Sequence, residues 1–400
     1  MSRAQIYRCC VAVLSAGVIL APKAAVPVLV LCALFAAVVS IRQRRRISDV
    51  SMRGVWGVAF LLGIFSVWVL IASVWNFIEI NTLSASLGVL AVFHLGLFSY
   101  VIFLADDALD HDCIETGLIA GFGFAFIAMC IGLIYSSLTG GSLFGDFTYD
   151  PLTPLNDSAI VMSLFLWPTL PALWRRSRWF AIFGFMLVFG LLALLSSFAA
   201  ICAVVVGGAV FLLRLVMRHN LMAAVLALMV IVMIAIPNLY SALDFEPDIN
   251  ENSTVLEREV HTLIRHRLAI WSFVVKKIEE QPLLGWGFRS SREIPHDRES
   301  VSAGVDVLPL HPHNISLQSR LELGLPGSVI FAALVGYVLI SLSRAGSNSL
   351  QAGFLMAPAV MWLFVANVSF GMWQNWWVAV AFLIAILMRV SVAASTRNAY

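Results

Sequence analysis

Charged side chains are scarce in this 400-residue chain: they make up 12% of it, whereas hydrophobic residues make up 60%. A soluble domain usually carries about 25% charged residues, so this composition excludes an ordinary water-soluble protein. The formal net charge is only +2, so the chain has no basic field of the kind that binds nucleic acid. Apolar runs of roughly 18 or more residues recur along the chain, which is typical of membrane-spanning helices. The sequence therefore predicts an all-α, polytopic membrane protein.

Cysteine and the common catalytic motifs are also scarce. The six cysteines are Cys9, Cys10, Cys32, Cys113, Cys130 and Cys202. No CxxC pair occurs among them, which argues against a zinc site or a disulfide framework. We expect the cysteines to be small, buried hydrophobic side chains. The chain has no Gly-x-Ser-x-Gly elbow, Walker loop or His-Glu-x-x-His zinc helix. An acidic run at 244–251 is a candidate for holding a divalent cation, although a run alone does not show that its oxygens converge.

Twelve apolar segments are candidate spans. They are residues 6–21, 24–41, 54–75, 83–104, 114–137, 159–174, 179–196, 198–216, 221–240, 325–343, 350–368 and 370–390. With the N-terminus in the cytoplasm, the arginine-rich connections, such as 42–53 and 175–178, fall on the cytoplasmic side. The short outward connections, such as 76–82, contain no Lys or Arg. We therefore expect both termini to be cytoplasmic.

The same count places residues 241–312 outside the membrane as one long loop. The chain then has three predicted parts: nine spans at 1–240, the loop at 241–312, and a re-entry helix with the last three spans at 313–400. Connections this long are usually functional or disordered. Apolar residues recur at spacings of three and four over 256–278, which predicts an amphipathic helix able to lie on the membrane face of the protein.

The loop concentrates basic side chains. They are Arg258, Arg265, Arg267, Lys276, Lys277, Arg289, Arg292 and Arg298. One interpretation is a solvated cationic surface. The other is an anion site beside the bilayer, because a planar guanidinium binds phosphate oxygens through paired hydrogen bonds. Arg267 and Trp271 are four residues apart, so they share a helix face and can line one wall of a pocket.

Two histidines stand where the loop returns to the membrane, in His311-Pro312-His313-Asn314. An unperturbed imidazole titrates near pH 6.5 and can accept a proton from a sugar hydroxyl. Gln318 follows Asn314 by about one helical turn, and both side chains can hydrogen-bond hydroxyl groups. The alternative for Asn314 is a structural cap on the helix that follows.

Three motifs together resemble the O-antigen ligase family, which also includes O-antigen polymerases. They are Arg267-Leu268-Ala269-Ile270-Trp271, Pro282-Leu283-Leu284-Gly285-Trp286-Gly287, and His313-Asn314 followed by Gly324-Leu325-Pro326-Gly327. The resemblance is specific over about 265–327 and only topological elsewhere. It implies a multi-pass enzyme of the bacterial inner membrane whose site faces the periplasm. Such enzymes transfer a glycan from undecaprenyl diphosphate to a lipid A–core sugar or, in polymerases, to another lipid-linked repeat unit.

The resemblance also implies roles for single residues. It implies that His313 is the base that activates the acceptor hydroxyl. It implies that Arg267, with Arg265, binds the departing diphosphate, so that no metal or nucleotide cofactor is needed. The implied partners are the glycan-carrying donor lipid, the lipid A–core or lipid-linked acceptor, and membrane lipids. Nucleic acid is not among them.

One position departs from the family pattern. Many members have a Ser-Arg pair at the start of a mid-chain helix, where the arginine is another presumed phosphate ligand. This chain has Ser197-Phe198 at the comparable place. Either Arg289 or Arg292 substitutes for the missing guanidinium, or this branch binds its donor differently.

Three functions remain open from the sequence. The leading one is an O-antigen ligase that acts by direct, inverting displacement at the anomeric carbon, and its nearest rival is a polymerase of the same family. A transporter of lipid-linked sugars is the rival from another class. Transporters usually have charges near mid-bilayer in interrupted helices, whereas few charges fall inside the spans predicted here, and Asp157 and Glu115 lie near span ends.

Overall fold

The computed structural model describes residues 3–43, 53–75, 82–105, 111–141, 143, 153–243, 255–294, 310–346 and 348–397. These residues form thirteen α-helices and two short 3-10 helices, with no strand among them. In chain order the α-helices are α1 (Arg3–Leu20), α2 (Ala25–Gln43), α3 (Arg53–Ala72), α4 (Thr82–Ala105), α5 (His111–Thr139), α6 (Thr153–Arg176), α7 (Arg178–Leu194), α8 (Phe198–Val216), α9 (His219–Leu243), α10 (Val255–Glu280), α11 (Ile315–Arg344), α12 (Ser349–Val368) and α13 (Asn375–Arg397). The acidic run at 244–251 lies outside the described residues.

The helices follow the predicted apolar segments closely. Each of the twelve segments falls on a helix, and the predicted amphipathic segment is α10. Seven helices in the described part are long and apolar enough to cross a membrane, namely α3, α4, α5, α8, α11, α12 and α13. The all-helical class is confirmed, while the count of twelve spans and the periplasmic position of the long loop remain predictions. The predicted re-entry helix and the span that follows it together form α11, which is kinked between them at Gly324.

The long helix α11 lies inside the bundle, in contact with α3, α9 and α12. Its neighbours supply large buried side chains to the core, including Phe65 of α3, while Trp377 of α13 is also fully buried. Many other large apolar side chains point outward, such as Phe60 and Leu228, at 67% and 60% exposure. An apolar exterior of this kind suits a bundle surrounded by lipid, since in water it would favour aggregation.

The cysteines depart in part from expectation. All six are free, and Cys113 is buried. Cys9, Cys10 and Cys202 are exposed, so the expectation of buried cysteines is wrong for these three. They lie on outward faces of α1 and α8, where a small, weakly polar side chain suits a lipid-facing surface as well as a core.

A second, smaller core joins α10 to the beginning of α11. Its buried members are Ile270, Val274, Val275, Ile278, Ile294, Leu317 and Leu321. The α10 members recur every three to four residues, so they form one stripe along that helix. This stripe packs on α11. It thereby holds α10, with the basic residues on its other faces, beside the histidine segment.

Candidate active site

The helix α11 is broken just before its proline. Gly324 has a φ of 66° and leaves the helical conformation, and Pro326 follows it inside the helix. Proline has no N–H for the carbonyl of Glu322, and Leu325 directs its N–H away from the helix. The carbonyls of Leu321 and Glu322 therefore need donors from outside α11.

The loop at 282–287 supplies those donors. Three hydrogen bonds join the two motifs: Trp286 N–H to the Leu321 carbonyl at 2.8 Å, Gly287 N–H to the Glu322 carbonyl at 2.9 Å, and Leu325 N–H to the Leu283 carbonyl at 2.9 Å. Trp68 of α3 adds its indole N–H to the Leu323 carbonyl at 2.9 Å. A Cβ at Gly324 would overlap the Leu283 carbonyl. The two glycine-containing motifs of the sequence are therefore two halves of one interlocked turn.

His313 stands immediately before α11 in a left-handed backbone conformation, with a φ of 53°. Its Nδ1 lies 2.5 Å from the carbonyl oxygen of Ser369. A carbonyl only accepts hydrogen bonds, so in the neutral ring the proton is on Nδ1 and the lone pair is on Nε2. This tautomer is the one in which Nε2 can act as a base.

His311 lies beside His313, with ring centroids 4.4 Å apart. Its Nδ1 accepts the backbone N–H of His313 at 3.2 Å, and its Nε2 is 3.3 Å from the Gln374 carboxamide. Burial first, and then the positive charges of His313, Arg292 and Arg267, lower the pKa of His311 from 6.5 to about 3. His311 is therefore neutral at physiological pH, and the two arginines are near enough to act on it electrostatically.

The helix α10 presents Arg267 and Trp271 to this segment, as their spacing predicts. The Trp271 indole donates to the Pro312 carbonyl at 3.0 Å, between the two histidines. Arg267 Nη1 is buried with no hydrogen-bond partner among the described residues, and burial lowers the pKa of its guanidinium. A guanidinium nevertheless stays charged at neutral pH, and a buried cation without an acceptor is costly. This environment favours an anionic ligand.

The other predicted arginines differ in what the structure shows. Arg265 lies in α10, two residues before Arg267, and its side chain is outside the described residues. Arg289 has a φ of 62°, and its backbone N–H donates to Glu322 at 2.7 Å. Arg292 ends the 3-10 helix Ser290–Arg292 and acts electrostatically on His311. Of the two proposed substitutes for the family's missing arginine, the structure thus associates Arg292 with the histidine pair.

Asn314 and Gln318 are both bonded within the protein. Asn314 is the N-cap of α11, and its Oδ1 accepts the N–H groups of Ser316 and Leu317 at 3.0 Å each. The Gln318 oxygen accepts the Met372 N–H at 2.8 Å, and its nitrogen donates to Glu322 at 3.0 Å. The capping alternative for Asn314 is therefore confirmed, and a contact of either side chain with substrate remains a prediction.

Glu322 is a residue that the sequence reasoning missed. It is fully buried, and its carboxylate accepts from Ser291 Oγ at 2.5 Å, from Gln318 and Arg289 as above, and from the Trp373 indole. This carboxylate cluster, defined as Glu322 with its four donors, joins α11 to the 3-10 helix and to the α12–α13 connection. The available signal was a carboxylate between leucines in an apolar helix, since a buried charge requires several partners.

The start of α8 has no positive charge. Ser197 is the residue before this helix, and its hydroxyl donates to Asn156 at 2.5 Å. Phe198 follows as the first helical residue. The position at which the resemblance predicts an arginine therefore has an aromatic ring, preceded by a neutral serine that is hydrogen-bonded within the protein.

Comparison with known proteins agrees with the motifs. Residues 182–332 match a family model described as O-antigen ligase, and this segment runs from α7 past the break in α11. A Rickettsia conorii protein whose name begins "Putative polysaccharide ligase" is 30% identical over 213 residues, which cover 52% of this chain and 50% of that protein. A Rickettsia typhi protein named in the same way is 26% identical over 335 residues, 82% of this chain and 79% of its own length.

The match therefore spans about half the length of the first relative and most of the second. The predicted resemblance is confirmed by both kinds of match. Together with the apolar helices, these matches support a membrane protein similar to the O-antigen ligase family.

Proposed function

We propose that this protein is a glycosyltransferase that transfers an O-antigen or similar glycan from undecaprenyl diphosphate to a lipid A–core sugar. The observation that carries the proposal is the hydrogen bond from His313 to the Ser369 carbonyl, which leaves the lone pair on Nε2. The names of the relatives support glycosyl transfer as the reaction class. In this proposal the enzyme is in the bacterial inner membrane, with its site facing the periplasm and both termini in the cytoplasm.

The proposed reaction is a single displacement. Nε2 of His313 takes the proton of the acceptor hydroxyl as its oxygen attacks the anomeric carbon. The bond from that carbon to the diphosphate oxygen breaks on the opposite face, and its electron pair leaves with the diphosphate, so the configuration is inverted. The imidazolium that forms keeps its Nδ1–H on the Ser369 carbonyl, which stabilises the positive charge.

Arg267 and Arg265 are the proposed contacts to the leaving diphosphate. The buried Arg267 Nη1 has no partner among the described residues, so a phosphate oxygen would satisfy it. Guanidinium groups fixed at the point where negative charge develops lower the barrier most, because they need no rearrangement during the reaction. The proposal therefore includes no metal or nucleotide. Trp271, Asn314, Gln318, Arg289 and Arg292 complete the proposed substrate-binding set.

The test uses purified protein, a defined lipid-linked glycan donor and a lipid A–core acceptor. His313→Ala should abolish transfer while the protein still inserts into the membrane and purifies folded. His94→Ala is the matched control, because His94 also holds its Nδ1 against a backbone carbonyl, that of Leu90 at 2.8 Å, but lies in α4. Near-normal transfer by His313→Ala would refute the role of this histidine as base. Arg267→Lys should also be severely impaired, since an ammonium cannot form paired bonds to a phosphate.

A deletion strain separates ligase from polymerase. Loss of all capped lipopolysaccharide on a gel identifies a ligase, whereas retention of a single added repeat unit identifies a polymerase. Purified protein that turns over no lipid-linked donor under any acceptor condition would contradict both enzymatic assignments and favour transport.

A further inference from the structure

Arg320 lies on a face of α11 that belongs neither to the apolar core with α10 nor to the carboxylate cluster. Successive helix positions turn by about 100°, so the first two turns of α11 present three faces. One face forms the apolar core with α10, and a second holds the carboxylate cluster. Arg320 lies on the third face together with Ser316 and Ser319, and this face turns towards α9. Arg320 has no role in the proposed displacement.

A small cavity lies in front of this face, between α9 and α11. The space in front of these residues is about 240 Å³ when the open solvent at its mouth is included, and little of it is enclosed. Its lining is Met233, Ile234, Ser316, Ser319, Arg320, Ser328, Phe331 and Ala332. The lining thus combines a single charged group with hydroxyls and with apolar side chains from both helices.

Arg320 provides this cavity with a hydrogen-bond donor that has no acceptor among the described residues. Its Nη1 is buried and has no hydrogen-bond partner among the described residues. The three serine hydroxyls already donate within the protein, Ser316 to Asn367, Ser319 to the Ser316 carbonyl, and Ser328 to the Gly324 carbonyl. The guanidinium is therefore the group that needs an acceptor, and an anion is the acceptor that best satisfies it.

The two helices that form the cavity also carry exposed apolar side chains. Val232 and Val329 are the sequence neighbours of the lining residues Met233 and Ser328, and they are 42% and 44% exposed. Ile231 is 60% exposed on the same helix as Val232. Since such side chains face lipid in a membrane-embedded bundle, an anion that reaches Arg320 between α9 and α11 would carry an acyl or prenyl chain behind its charged group. This combination describes a lipid phosphate.

We propose that the α9–α11 cavity is a second phosphate subsite, in which Arg320 binds a phosphoryl oxygen of a membrane-embedded lipid substrate. The inference rests on the proposed function for the choice of a lipid substrate. The phosphate comes either from the diphosphate of the donor or from a phosphate of the lipid A acceptor.

Binding without turnover tests the subsite. Full-length protein in detergent is titrated with geranylgeranyl diphosphate, with lipid A, and with uncharged geranylgeraniol, and the ligand-induced rise in unfolding temperature gives the affinity. Arg320→Gln should lower the affinity for one of the two phosphate ligands about tenfold or more, as expected for a lost charge-assisted hydrogen bond. Arg344→Gln is the matched control, the same change at the exposed far end of α11. Ser319→Ala should change the affinity by less than about twofold, because the Ser319 hydroxyl donates its hydrogen bond to the Ser316 carbonyl.

The outcomes are distinct. Weaker binding of geranylgeranyl diphosphate by Arg320→Gln assigns the subsite to the donor, and weaker binding of lipid A alone assigns it to the acceptor. Unchanged binding of both, or equal weakening by Arg344→Gln, overturns the subsite.

If Arg320→Gln does not fold, phenylglyoxal modification of the unmutated protein tests the subsite instead. Protection of Arg320 by a phosphate ligand but not by geranylgeraniol supports the subsite, and absence of protection overturns it. Because His313→Ala leaves this cavity intact, failure of His313 as base does not alter these binding results.

Discussion

Replacing Glu322 with glutamine tests the carboxylate cluster with almost no change in shape. The Met372 N–H fixes the Gln318 carboxamide with its nitrogen towards Glu322. Oε2 of Glu322 meets two groups that can only donate, the Arg289 N–H and the Trp373 indole. The new amide therefore keeps its oxygen at that position, and its NH2 group faces the NH2 group of Gln318.

Two losses set the size of the effect. The buried Gln318 nitrogen is left without an acceptor, which costs about 1–3 kcal/mol. The bonds from Arg289 and Trp373 become neutral, which roughly halves their strength. Relief of a buried charge offsets part of this loss. We expect the free energy of unfolding to fall by about 3 kcal/mol in total.

The assay is reversible unfolding in mixed micelles titrated with a denaturing detergent. Glu280→Gln is the control, because the Glu280 side chain is 48% exposed in a surface pair with Lys277. That variant should change the free energy of unfolding by less than about 0.5 kcal/mol. If Glu322→Gln unfolds within the same margin of the unchanged protein, the carboxylate does not hold these segments together and the reasoning is refuted.

Three further substitutions test other parts of the site. Gly324→Ala should prevent correct folding because its Cβ overlaps the Leu283 carbonyl, whereas Gly88→Ala, with nothing within 4 Å, should purify normally; equal yields of monodisperse protein contradict the interlocked turn. Asn314→Asp should retain the cap and the thermal stability but slow glycan transfer, because the carboxamide donor is lost, and transfer at the unchanged rate would exclude Asn314 from the substrate-binding set. The pKa of His311 is about 3 in the folded protein and 6.5 in the unfolded chain. Between these two pH values, therefore, only the unfolded chain binds a proton at His311. Stability should therefore fall as the pH drops from about 6.5 towards 3, less steeply in His311→Gln, and an unaltered acid profile in that variant would exclude His311 as the source.

The sequence was sufficient to predict the helical membrane class and the helix positions, because long apolar runs have few alternatives in a chain this poor in charge. The shared face of Arg267 and Trp271 was also predictable, since positions four apart on a helix are neighbours. The hydrogen bond from Trp271 to Pro312 agrees with that expectation. Local periodicity thus carried the correct predictions.

The polar contacts were less predictable, because their partners are distant in the sequence. Gln318 and Asn314 have the same sequence pattern whether they bind a sugar or the protein's own backbone, so their internal hydrogen bonds cannot be read from the sequence. Glu322 draws donors from 289–291 and from Trp373, and no local pattern relates those segments to α11. Arg320 was overlooked because a single arginine in an apolar helix has no motif around it.

The interlocked turn has a consequence for biosynthesis. The ribosome makes Trp286 and Gly287 thirty-five residues ahead of Leu321 and Glu322, whose carbonyls those two N–H groups contact. Until α11 is inserted, these amides depend on water, and the nascent segment has no fixed position beside the lipid. Chains released before residue 321 should consequently remain open to protease at 282–287, and protection there should mark the moment at which this turn and the helices around it are assembled.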